Sequence, residues 1–231
     1  MTAVVTDDRS QTIDDALARL DPLDRPSIER IAAMANGLWY LREKISGAPD
    51  HKSMLDHTRP LMYAALFDRG SAAVTFIKES ASPTPDLEVV VDGVKFFAEV
   101  RKFGMGAGPG ASDAVSKIVD AIGQKRSQLP GGAIGLVVID NFDTRMEPGL
   151  AHDHILGALS EVSRRADLNP AGWRKPSGVI ISAASVIGSA PVEPPHFLWI
   201  NRGTDCPPSD QLIQWLLSSL PNCRLFAATN R

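Results

Sequence analysis

The chain has 231 residues, 44% hydrophobic and 22% charged, with a formal net charge of −3. That is the composition of an ordinary globular protein large enough to bury a sizeable core. It excludes a broadly basic nucleic-acid binder, and no apolar run approaches the 18 or more residues of a membrane-spanning helix, so no membrane partner is expected.

Residues 2–10 are polar and read as irregular, unlike a secretory signal, which makes the cytoplasm the expected compartment. A short helix is predicted over Ile13–Leu20, closed by Asp21-Pro22. A longer one is predicted from Asp24-Arg25-Pro26-Ser27 to about Ile45. Asp or Ser can cap it, Pro is tolerated in its first turn, and Ile28, Ile31, Ala35 and Leu38 follow helical spacing. Gly47-Ala48-Pro49 ends this N-terminal helical segment, residues 1–50, ahead of one α/β domain over 51–231.

A helix is predicted over about Thr58–Asp68, then strands at Ala72–Ile77, Leu87–Val91 and Val94–Lys102, the last two joined by Asp92-Gly93. Asp-Gly between apolar runs is a strong hairpin signal, because both residues accept positive φ. A glycine-rich loop over Gly104–Gly110 leads to a helix over Ser112–Leu129, with Ser112 as its cap. The nearly pure apolar run Ala133–Ile139 reads as a strand covered on both faces. Beyond Asn141 the prediction is helix Leu150–Ala166, strand Gly178–Ala183, strand Phe197–Ile200, helix Asp210–Leu220 and strand Cys223–Ala227. Helices alternating with strands imply an α/β (α+β) fold, a mixed central sheet flanked by helices. Cys206 and Cys223 have no metal-ligand spacing and read as free thiols.

The hairpin carries the chemistry. Side chains alternate along a strand, so Lys95, Phe97, Glu99 and Arg101 share one face, while Val94, Phe96, Ala98 and Val100 share the more apolar one. Arg101 is thereby the cation expected beside Glu99, and Lys102 turns away. Asp86 lies as far before the turn as Glu99 lies after it, so the two carboxylates converge. They repel unless a cation lies between them, and oxygen ligands with room for water are what Mg²⁺ prefers. In the next helix Lys125 fills the vacant place in the apolar stripe Val115, Ile118, Ile122, Leu129, which turns it toward the sheet. Between Lys95 and Arg126 six basic residues stand against three acidic ones, a local basic patch through which nucleic acid could be met.

Helix, strand, Pro85-Asp86, hairpin, Glu99-Val100-Arg101, a helix with a polar inward residue and a buried strand: this order resembles the PD-(D/E)XK nuclease superfamily, the restriction endonuclease-like fold. The resemblance covers residues 58–140 as a core, with residues 141–231 as a C-terminal α/β extension. It implies Mg²⁺ (or Mn²⁺) held by Asp86, Glu99 and the carbonyl of Val100. Arg101 then stands where the superfamily's lysine sits, and Lys125, or Gln124 beside it, matches the auxiliary residue of the following helix. The activity implied is metal-dependent hydrolysis of phosphodiester bonds in DNA or RNA, by Asp86, Glu99, Arg101 and Lys125. Arginine cannot act as a base there. A catalytically degenerate binding or assembly module of the same fold, meeting a protein partner or its own copies, therefore stays open. A third reading is nucleotide or small-molecule binding by the glycine loop, where Gly106-x-Gly108-x-x-Ala111 formally fits a phosphate cradle. His152-Asp153-His154 has a metal-like composition, but neighbours on a helix point in different directions, so it reads as a polar helix start.

Overall fold

The computed structural model describes residues 51–77, 82–103, 111–140, 148–182, 186–187, 190–191 and 195–226. The N-terminal helices predicted over 13–45 and the glycine loop 104–110 lie outside them. Helix α1 (His51–Arg69) leads into β1 (Ala73–Phe76), β2 (Leu87–Val91) and β3 (Val94–Lys102). Helix α2 (Ala111–Lys125) and a 3-10 turn (Arg126–Gln128) precede β4 (Ile134–Asp140). Helix α3 (Pro148–Leu168) and a second 3-10 turn (Pro170–Trp173) precede β5 (Gly178–Ser182). The short β6 (Val186–Ile187) and β7 (Ala190–Pro191) pair with each other. Then come β8 (His196–Ile200), α4 (Asp210–Ser219) and β9 (Arg224–Phe226).

The hairpin forms as its turn chemistry demands. Asp92 and Gly93 have φ of 49° and 77°, the left-handed region that a two-residue turn of this kind requires. The turn sets the register Val91↔Val94, and every later pair follows from it, down to Leu87↔Ala98. Phe96, Ala98 and Val100 are buried, while Lys95 and Arg101 are exposed.

Around this hairpin is a mixed α/β sheet of seven strands in the order β1-β2-β3-β4-β5-β8-β9. β3, β4 and β5 are parallel, and the other neighbouring pairs are antiparallel except β8 with β9. Parallel strands need crossovers, and here both crossover helices, α2 and α3, lie on one face. Ile118, Ile122, Ile155 and Leu159 from these helices pack there against Val137, Ile139, Val179 and Ile181. Tyr63 and Phe67 of α1, with Leu212 and Leu216 of α4, cover the other face over Phe96, Leu136, Val138 and Ile180. Strands β4 and β5 are covered on both sides, which is why their sequences are almost continuously apolar.

Helix boundaries depart from the sequence reading in α1, α2 and α3. α1 begins at His51, not Thr58, so Pro60 lies inside it. α2 begins at Ala111, which puts Ser112 within the helix and not at its cap. Its α-helical part ends at Lys125. The next three residues tighten into a 3-10 turn, as helix ends commonly do, and Leu129, which precedes Pro130, is extended with ψ of 141°. α3 starts at Pro148, a residue tolerated in a first turn. At the end of α1 the backbone comes close to α4. Gly70 O accepts from Trp215 Nε1 at 2.7 Å, and a Cβ on Gly70 would lie 2.3 Å from Ser219 Oγ. None of the described helices is long and apolar enough to cross a membrane.

A buried polar cluster that the sequence reading did not foresee ties α1 to the ends of β4 and β5. Arg59 Nη1 lies 2.8 Å from Asp140 Oδ2, and Ser182 Oγ donates to Asp140 Oδ1 at 2.5 Å. All three residues are buried. Removing one partner of such a pair strands a charge in the interior. Asp140→Ala is therefore expected to lower stability by about 3–5 kcal/mol in urea denaturation, whereas Arg59→Met with Asp140→Leu should recover most of that loss.

Candidate functional site

Extending the register by one residue sets Asp86 opposite Glu99, where the two chain segments converge. Ile77 N still donates to Asp86 O, so Asp86 is held at the end of the β1–β2 pairing. Its side chain turns across to β3, where Asp86 Oδ2 accepts from Val100 N at 2.8 Å. Backbone N–H and C=O of one strand residue point to the same edge, so the Val100 carbonyl shares the edge that Asp86 occupies.

Glu99 is 1% exposed. It lies on the face that α2 covers, in register with Val137 of β4. Lys125, in the last turn of α2, forms an ion pair with Glu99 Oε1. With Glu99 ionised, the amide of Gln128 that satisfies all partners has its nitrogen toward the carboxylate, donating to Oε1 at 2.7 Å and Oε2 at 3.1 Å. Burial pushes the Glu99 carboxyl up to about 8; the Asp86 charge adds to the rise, and Lys125 opposes it.

The remaining residues singled out in the sequence separate from this cluster. Arg101 shares the face of Glu99 but is exposed, and among the described residues no ion pair holds it. The cation that meets Glu99 is therefore Lys125, not the Arg101 that strand alternation led us to expect. Alternation could not show that α2 lies directly over Glu99 and delivers its own cation first. Gln124 is exposed, and Gln128 takes the place beside the carboxylate. Gln128 follows Lys125 by three residues, and the 3-10 turn after α2 aligns the two side chains. The backbone of Lys102 is in register with Asp140.

The local basic patch is partly consumed by the fold. Lys95 pairs with Glu88 at 2.9 Å, Lys125 with Glu99, and Arg126 sits over the Trp173 ring while donating to Gly172 O. The histidine pair does not form a site. His152 lies against the Phe197 ring, Asp153 is exposed and His154 is buried, and among the described residues no cluster of three or more His, Cys, Asp or Glu side chains could hold a metal. Cys206 and Cys223 are free thiols. A cavity of about 460 Å³ lies between α3, the second 3-10 turn and the ends of β8 and β9, and contains none of the residues singled out above.

No protein-family model, curated protein or solved structure matches the chain.

The raised acidity constant of Glu99 has a consequence for stability. An unfolded glutamate titrates near 4.3, so between about pH 4.5 and 8 the folded chain binds more protons than the unfolded one. Stability must then fall as pH rises through that window. In urea denaturation at a series of pH values, wild type is expected to lose more stability between pH 5 and about 8 than Glu99→Gln, whose amide does not titrate. Parallel curves for the two proteins would contradict this account of Glu99.

Proposed function

We propose that the protein is a cytoplasmic, divalent-metal-dependent, nuclease-like hydrolase of phosphodiester bonds in DNA or RNA, similar in plan to the PD-(D/E)XK superfamily. The observation that carries this reading is Asp86 opposite Glu99 at the open end of a hairpin, with a lysine from the next helix on Glu99. Magnesium is commonly held by one or two carboxylates and keeps several waters. Asp86, Glu99 and the Val100 carbonyl are thus a sufficient set for Mg²⁺ or Mn²⁺, although they fall short of a three-carboxylate cluster. Such an ion would polarise a phosphoryl oxygen and lower the pKa of a bound water.

The chain's own groups have separate parts. The Val100 N–H orients Asp86, and Gln128 orients Glu99. Lys125 supplies positive charge within reach of the ligand oxygens, where a developing phosphorane charge needs it. Arg101, charged and exposed, is available to a substrate phosphate arriving from solvent, but it cannot take up a proton.

A second reading is a degenerate binding or assembly module, alone or as a homo-oligomer. It is favoured by arginine at the position of the superfamily's lysine and by the internal pairing of Lys95 and Lys125. Cleavage assays in Mn²⁺ on single- and double-stranded DNA and RNA separate the two. For the enzyme, Glu99→Gln abolishes Mn²⁺ binding and cleavage, and Lys125→Ala lowers the rate by about 10²-fold, some 3 kcal/mol for one preorganised charge. Lys102→Ala should change the rate far less and mainly weaken salt-dependent binding. Mn²⁺ binding that requires Glu99 without cleavage of any substrate would favour the module.

A further inference from the structure

We infer that Lys125 is an internal counter-ion, which holds the Glu99 carboxylate while no metal is bound and is expelled toward solvent when a divalent cation takes that carboxylate. This rests on Asp86 and Glu99 as the metal ligands, and it concerns what must happen to the cation already there.

Both Glu99 oxygens are engaged. Oε1 carries the Lys125 ammonium, and the Gln128 amide donates to both oxygens. The side chains are nearly dry, with Glu99 1% and Lys125 18% exposed. Charges this close in a weakly polar environment interact strongly, so an ammonium and a dication cannot share one carboxylate oxygen. Gln128 is neutral and can stay. Lys125 must move, and its position permits it. It stands in the last turn of α2, where a four-carbon stem attached at a helix end can reach solvent while Cα stays in place.

The test uses the whole chain and reads lysine accessibility, not activity. Mg²⁺ is titrated by calorimetry to saturation. The protein is then exposed briefly to an amine-acylating reagent, and modification at each lysine is read by mass spectrometry. Without metal, Lys125 should react more slowly than Lys95, whose side chain is 52% exposed. With Mg²⁺ bound, Lys125 reactivity should rise by about threefold, the ratio of the Lys95 to the Lys125 exposure, while Lys95 is unchanged. Asp86→Asn keeps the Glu99–Lys125 pair but loses a ligand, so Lys125 should stay protected with or without Mg²⁺. In Glu99→Gln, Lys125 should be reactive from the outset and insensitive to Mg²⁺. If wild type binds Mg²⁺ through Glu99 while Lys125 stays protected, the exchange is wrong and the metal site stands. Mg²⁺ binding that is absent, or equal in wild type and Glu99→Gln, would overturn the metal site and the exchange with it.

Discussion

A carboxylate that is 1% exposed cannot remain charged unless a partner comes to it, and in this protein the partner comes from the end of the next helix. The Glu99–Lys125 contact connects the hairpin, the helix that crosses over it and the 3-10 turn that closes that helix. α2 must run far enough along the β3–β4 pair to bring Lys125 over Glu99. The turn must then tighten to bring Gln128 to the same oxygens. Even so, burial wins over pairing, because the carboxyl stays raised to about 8 with the lysine present. The second carboxylate explains part of this, because the Asp86 charge adds to the rise that burial causes.

A matching arrangement stands on the opposite face of the same strands. Asp140 ends β4, Arg59 reaches it from α1, and Ser182 of β5 donates to its Oδ1. Its chemistry is different, however. Arg59 and Asp140 pair one positive charge with one negative, and both side chains are buried. Buried ion pairs of this kind add little net stability over apolar substitutes, so the role we assign is placement, with α1 locked at the carboxyl ends of β4 and β5. Glu99, by contrast, pairs with Lys125 beside a second carboxylate, Asp86, whose charge adds to the rise of its acidity constant.

Much of this was legible in the residues. Period-2 alternation in Val94–Lys102 and the Asp-Gly turn were enough to derive which side chains face the core, and counting from the turn paired Asp86 with Glu99. Both are local properties, set by steric rules over a few residues. The apolar stripe of α2 likewise placed Lys125 toward the sheet. The choice of Lys125 over Arg101 as the partner of Glu99 was not legible, because alternation orders residues along a strand and says nothing of what lies above it. Gln128 was missed as well. Extrapolated at 3.6 residues per turn it stays on the Lys125 side of the helix, and the change to 3-10 geometry aligns it further. The Arg59–Asp140–Ser182 cluster joins three elements that are distant in sequence, and its one local sign was a polar residue ending each of two apolar strands.

By itself, the sequence determined the main described helices and strands, the hairpin register and the convergence of two carboxylates, since turn chemistry and periodicity act over a few neighbouring residues. Only the tertiary structure decided which of those charges is dry, which cation answers it and which amide completes its bonds. Burial depends on the packing of α2 across β3 and β4, and packing is a property of surfaces brought together by the whole chain. The electrostatics of the site come from that burial. Composition could count the charges around Glu99, but only the fold could take them out of water.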